Sequence, residues 1–173
     1  MWLLENNICE TLVTGDINEE TVRLVRKTAK TNDYNVRAYT SDNLKSIPKD
    51  EKFDLVISNP PNYCNIQRAH THGYMRDDLR PSDIDWKIHK DFYSNISDHL
   101  NDNAIMLISE VEPYSKEVYI FGELYDKRPE VPMEEFKEMI EANHLKIISK
   151  TPYNYGGLDC CVLEVHPLRS AGK

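Results

Sequence analysis

The stretch Phe53-Asp54-Leu55-Val56-Ile57-Ser58-Asn59-Pro60-Pro61-Asn62-Tyr63 leaves the chain few ways to fold. Leu55, Val56 and Ile57 are consecutive rather than alternating, which predicts a central parallel strand covered on both faces. Two prolines then end it. Neither can donate to a sheet ladder, and Pro60 biases Asn59 towards extended backbone. Asn59 is therefore expected at the carboxyl end of a buried strand, with its amide and carbonyl on a stiff frame. In open α/β sheets that end is where ligands bind.

An Asn-Pro-Pro at such a place has a specific chemical use. The side-chain oxygen of Asn59 and the fixed carbonyl of Pro60 can both accept hydrogen bonds from one planar NH2 group. That pair would aim the nitrogen lone pair at an electrophile and stabilise the positive charge that develops during attack. Positioning and electrostatics of this kind lower barriers by several kcal/mol.

The preceding chain supplies the rest of a parallel sheet. Residues 9–16 read as a strand ending at Gly15-Asp16. Asn18 is placed to cap a helix with Glu19 and Glu20 in its first turn and Lys27 and Lys30 in its last, an order that complements the helix dipole. Val22, Val25 and Ala29 fall on one face of that helix. Residues 34–39 read as a second strand, and 46–52 as a polar connection. Strand, helix, strand, short link, strand is the order of a parallel α/β sheet. Its strands end in Asp16, Asp42 and Asn59, all expected on one edge.

Beyond the motif, residues 64–80 form a polar loop of lid length. Residues 81–85 read as a helix start, with Ser82 as cap and Asp85 as a short capping-box acid. Ile84, Ile88, Phe92 and Ile96 recur at fourfold spacing as its packing stripe, and His89 reads as structural. Residues 101–103 read as a turn, 104–109 as a buried strand, and 110–131 as irregular, with Tyr114, Tyr119 and Tyr125 available to stack on a planar substrate. A helix over 132–143 buries Met133, Phe136 and Ile140. Residues 145–151 and 158–165 then read as a closing hairpin. One domain over 1–168 and a tail over 169–173 are expected.

Residues 53–63 resemble motif IV of the amino-methylating S-adenosylmethionine-dependent methyltransferases. These include the release-factor glutamine methyltransferases, the adenine-specific DNA methyltransferases and the guanine-specific ribosomal RNA enzymes. The family pattern is Asn/Asp/Ser-Pro-Pro followed directly by an aromatic. Here Asn62 intervenes and Tyr63 comes one place late. The resemblance implies a Rossmann-like methyltransferase sheet, mostly parallel with a C-terminal antiparallel hairpin. It implies S-adenosylmethionine as cofactor, with Asp16 and Ile17 at its ribose, Asp42 and Asn43 at its adenine, and Asn59 at the reacting end. Asn59 and Pro60 would hold the acceptor nitrogen, Pro61 would fix the loop, and Tyr63 would stack on the substrate.

The family's first strand and glycine-rich loop have no counterpart, since Gly15 is the first glycine. They are expected from an upstream segment or from a second chain, a homo-oligomer included. A glutamine amide, a nucleobase amine and a small molecule all fit as acceptor. The alternative is a non-catalytic relic or partner subunit that keeps the fold. A Rossmann-type nucleotide binder of other chemistry explains the acidic strand ends but gives Asn-Pro-Pro no use.

No run approaches 18 apolar residues and the amino terminus has no signal-peptide pattern, so the chain is expected to be cytoplasmic and off the membrane. A net charge of −8 argues against nucleic-acid binding by charge alone, although Arg68, Arg76 and Arg80 can form a local groove. Cys9, Cys64, Cys160 and Cys161 lack CxxC spacing and read as reduced thiols. Cys64, His70 and His72 lack a fourth ligand at recognisable spacing, and no metal is expected.

Overall fold

The computed structural model describes residues 1–64, 82–111, 117–120, 123–127, 133–155 and 158–168. Arg68, His70, His72, Arg76, Arg80, Tyr114 and the tail lie outside the described residues, as do the side chains of Tyr63, Cys64, Tyr119, Tyr125 and Met133. The chain forms two compact units, Met1–Glu51 and Lys52–Lys173.

The first unit opens with a short helix α1 (Trp2–Glu5), followed by β1 (Leu12–Asp16), α2 (Glu19–Thr31) and β2 (Val36–Thr40). The strands pair in parallel from Leu12↔Val36 to Asp16↔Thr40, and α2 is the crossover that a parallel pair needs. Asn18 caps α2 as its position predicts, its side chain accepting from the Glu20 N–H at 2.9 Å and the Thr21 N–H at 3.3 Å. Val22 and Ala29 are buried on the predicted face. The guanidinium of Arg26 ties the helix to β2 by donating to the Ala38 carbonyl at 3.0 Å through Nε.

The second unit holds β3 (Phe53–Ser58), β4 (Asn62–Cys64), β5 (Ser82–Ile84), α3 (Lys87–Ile96), a 3-10 turn (Ser97–His99), β6 (Leu100–Val111), β7 (Glu117–Ile120), β8 (Glu123–Lys127), α4 (Met133–Ala142), β9 (Leu145–Tyr155) and β10 (Leu158–Pro167). Its main sheet runs β3-β6-β10-β9, parallel between β3 and β6 and antiparallel thereafter. The predicted closing hairpin is therefore present. Met106 pairs with Val165 and Ile108 with Leu163, so these side chains share one face with Ala104, and all five are buried. From α3 and α4, Tyr93, Ile96, Phe136 and Ile140 join the core. Burying side chains of this size stabilises by about 1.5–3 kcal/mol each.

Five expectations need correction. Ile57 is 56% and Ile105 is 37% exposed, so β3 is not covered on both faces. Ser82 does not cap a helix: residues 82–84 are strand, and Asp85 and Trp86 are left-handed, with φ of 51° and 60°, before α3 begins at Lys87. The buried stripe of α3 is His89, Tyr93 and Ile96, with Ile88 and Phe92 only half-buried. Residues 101–103 belong to β6 rather than to a turn, and Asn101 donates to the Asp54 carboxylate at 2.7 Å. Within 110–131, β7 and β8 pair as an antiparallel hairpin where irregular chain was expected.

Candidate functional site

The carboxyl edge of β1–β2 assembles the predicted cofactor residues of the first unit. The Ser41 N–H donates to the Asp16 carbonyl at 2.9 Å, so the chain leaving β2 starts beside the end of β1. The Asp16 carboxylate accepts the Asn18 N–H at 2.8 Å through Oδ1, which fixes its rotamer in the turn before α2. Among the described residues Oδ2 has no partner. Ile17, next in the chain, is 37% exposed. Asn43 sits in left-handed backbone at φ 58°, and its carbonyl lies 3.7 Å from where a Cβ on Gly15 would be. The turn carrying Asp42 and Asn43 therefore packs directly over the end of β1. Asp42 is paired with Lys45 at 2.7 Å in a largely exposed contact, the kind worth little in stability.

In the second unit β3 ends at Ser58, opposite Ile108, and Asn59 follows with its side chain exposed. Pro60 and Pro61 are half-buried. The chain re-enters a ladder at once, because Asn62–Cys64 pair in parallel with Ser82–Ile84 in the register Tyr63↔Asp83. Asn-Pro-Pro is thus held between two strands, one on each side.

Sequence reasoning missed the polar group next to this turn. Asp83 is completely buried and accepts the N–H groups of Ile88 at 2.7 Å and His89 at 2.9 Å, capping α3 from the strand before it. It also hydrogen-bonds the His89 ring at Nδ1. The other ring nitrogen, Nε2, lies 3.0 Å from Glu110 Oε1 near the end of β6. Burial disfavours the imidazolium, but the bonds and charges of Asp83 and Glu110 outweigh it and raise the His89 pKa from 6.5 to about 9. At neutral pH His89 is a buried cation between two carboxylates. The available signal was its spacing: three and four residues before Phe92 and Tyr93, and seven before Ile96, it sits on the core stripe.

Tyr93, one turn on, has a buried hydroxyl without a hydrogen-bond partner among the described residues. Burial, and then the charge of Glu110, push its pKa well above 10. Removing an unpaired buried hydroxyl costs little or stabilises. Tyr93→Phe is therefore expected to leave the denaturant midpoint unchanged or raise it. A loss of about 1 kcal/mol or more would show that the hydroxyl is bonded in solution. Among the described residues no group of three His, Cys, Asp or Glu side chains is placed to hold a metal ion.

Residues 1–73 match the family model of the methyltransferase small domain. Among curated protein sequences, none matches the chain. Solved structures do. The ribosomal protein L11 methylase of Lactobacillus delbrueckii subsp. bulgaricus superposes with a TM-score of 0.54 at 15% identity over 93% of this chain. An S-adenosylmethionine-dependent methyltransferase from Clostridium acetobutylicum gives 0.58 at 11% over 97%. The fold is that of the Rossmann-like methyltransferases. The B. subtilis M1A22 tRNA methyltransferase TrmK gives 0.57 at 11% over 96%. This chain spans 60% of the length of the L11 methylase, 88% of the Clostridium protein and 53% of TrmK. No helix among the described residues is long and apolar enough to cross a membrane.

Proposed function

We propose that the chain acts as an S-adenosylmethionine-dependent methyltransferase whose acceptor is a planar amide or amine nitrogen. One observation carries the reading: in a methyltransferase fold, Asn59-Pro60-Pro61 stands at the carboxyl end of the parallel strand β3 with the Asn59 side chain exposed. The solved methyltransferases that share the fold support it, as does the match over residues 1–73.

The donor set suits the cofactor. Asp16 offers one oxygen that is fixed and one that is open, the arrangement a ribose diol needs from a carboxylate. Asp42, with Ile17 and Asn43 beside the same edge, is an acceptor for the adenine amino group. When bound, the cofactor would supply an electrophilic methyl group. Asn59 Oδ1 and the Pro60 carbonyl accept the two N–H bonds of the acceptor and leave its lone pair free. No general base is required before attack, because the proton leaves the nitrogen afterwards. Tyr63 would stack on the acceptor.

Calorimetric titration of the purified chain with S-adenosylmethionine and with its demethylated product tests the reading. Binding of both is expected, and Asp16→Ala should weaken it by about 1–3 kcal/mol through loss of a charged hydrogen bond. Unchanged affinity in that variant would remove Asp16 from the site. A folded wild-type chain that binds neither compound would favour a non-catalytic, methyltransferase-like subunit.

A further inference from the structure

The structure assigns His89 a positioning role: we infer that the buried bridge Asp83–His89–Glu110 braces the Asn-Pro-Pro turn and sets where Asn59 presents its amide. The inference rests on the reading of Asn59 as the residue that holds the acceptor nitrogen. Its basis is a closed ring of contacts inside the second unit. Ser58, the last residue of β3, pairs with Ile108 of β6. Two residues further along β6, Glu110 meets His89 Nε2 at 3.0 Å. His89 Nδ1 bonds Asp83, and Asp83 stands opposite Tyr63 in the β4–β5 pair. Tyr63 lies four residues beyond Asn59, with both prolines between. The strands paired on either side of the turn, β6 and β5, both lead to the same histidine.

A hydrophobic contact would permit this segment to slide, whereas a cation bonded at both ring nitrogens fixes two directions at once. The imidazole plane holds its two donors on opposite sides, so Asp83 and Glu110 are locked at a set separation. Asp83 is tied twice more, by the Ile88 and His89 N–H groups, so the brace is anchored in the first turn of α3 rather than in a loop. The other groups facing His89 are aromatic: Trp86 edge-on at 4.8 Å between centroids, Phe136 of α4 at 5.8 Å and Tyr93 at 6.3 Å. They pack around the ring while the two carboxylates hold its nitrogens. For a reaction that depends on aiming one lone pair, rigidity at the turn translates into rate, because small misplacements of reacting groups are costly.

The test is amide hydrogen exchange on the full chain, without cofactor or substrate, comparing wild type with His89→Gln. Exchange over residues 59–64 is expected to rise by about tenfold or more beyond any uniform rise over β9 and β10 that lost global stability brings, the pattern of local opening. Unchanged exchange over 59–64 overturns the inference. An equal rise across the whole second unit also overturns it, since His89 would then be merely stabilising. If His89→Gln does not fold, Glu110→Ala carries the same test, because it removes the bond to Nε2 and leaves the Asp83 bonds in place. Once an acceptor is known, the brace predicts a lower kcat in these variants with the cofactor Kd unchanged. Because the exchange readout needs no ligand, it stands even if wild type binds no S-adenosylmethionine. In that case the functional reading fails and the brace does not.

Discussion

Asn59→Ala is expected to reduce methyl transfer by about 10²–10³-fold, the loss typical for removing one preorganised hydrogen-bonding group from a developing charge. Cofactor affinity should stay largely intact, since the Asp16 carboxylate and the turn bearing Asp42 lie in a different strand pair from Asn59. Asn59→Asp is the informative companion. It keeps an acceptor in place, so it should retain more activity than alanine. A large loss of cofactor affinity in Asn59→Ala would show that the residue is misassigned. The exposed position of Asn59 at a strand end makes the substitution gentle on the fold, so lost activity can be read as lost chemistry.

His89 carries the largest expected effect on stability. Its pKa of about 9 in the folded chain lies above the ordinary 6.5, so folding favours the proton. Below about pH 6.5 both states are protonated and the contribution is complete. Between about 6.5 and about 9 the unfolded chain releases its proton while the folded chain keeps it, so stability falls as pH rises. The total is about 3 kcal/mol. Burial works against the proton, and the groups that set this window over it are Asp83 from β5 and Glu110 from β6. His89→Leu should remove the slope and cost about 3–5 kcal/mol at neutral pH, because two carboxylates then lose the cation between them. Denaturant unfolding at several pH values from 6 to 10 measures both. A wild-type profile flat over that window would contradict the buried imidazolium.

Local rules located much of this from sequence. Asn18 was legible as a cap because its side chain needs only the next helical turn, and Asn59 because two prolines must end a strand. The closing hairpin followed from two apolar runs around a glycine-containing turn. Where the sequence misled, a tertiary partner had overridden the local signal. Asn101 lies in β6, where its side chain donates to Asp54 of β3 at an irregularity in the β3–β6 pairing. Ile84, Ile88 and Phe92 suggested a packing stripe, but the core takes His89 and Tyr93 instead. That choice is possible only because Asp83 and Glu110 come from two other strands to meet the imidazole. The spacing of His89 marks its face of α3, but nothing near it in sequence marks Glu110, its partner from β6. Asp83 caps α3 from five and six residues away rather than from the helix boundary.

The most direct test of the central claim is a transfer assay with methyl-labelled S-adenosylmethionine, offered separately to an RNA fraction and a protein fraction, with Asn59→Ala run in parallel. The account predicts labelled N-methyl product in one fraction with wild type and its near-complete loss with the variant. Label appearing equally with both proteins would contradict it.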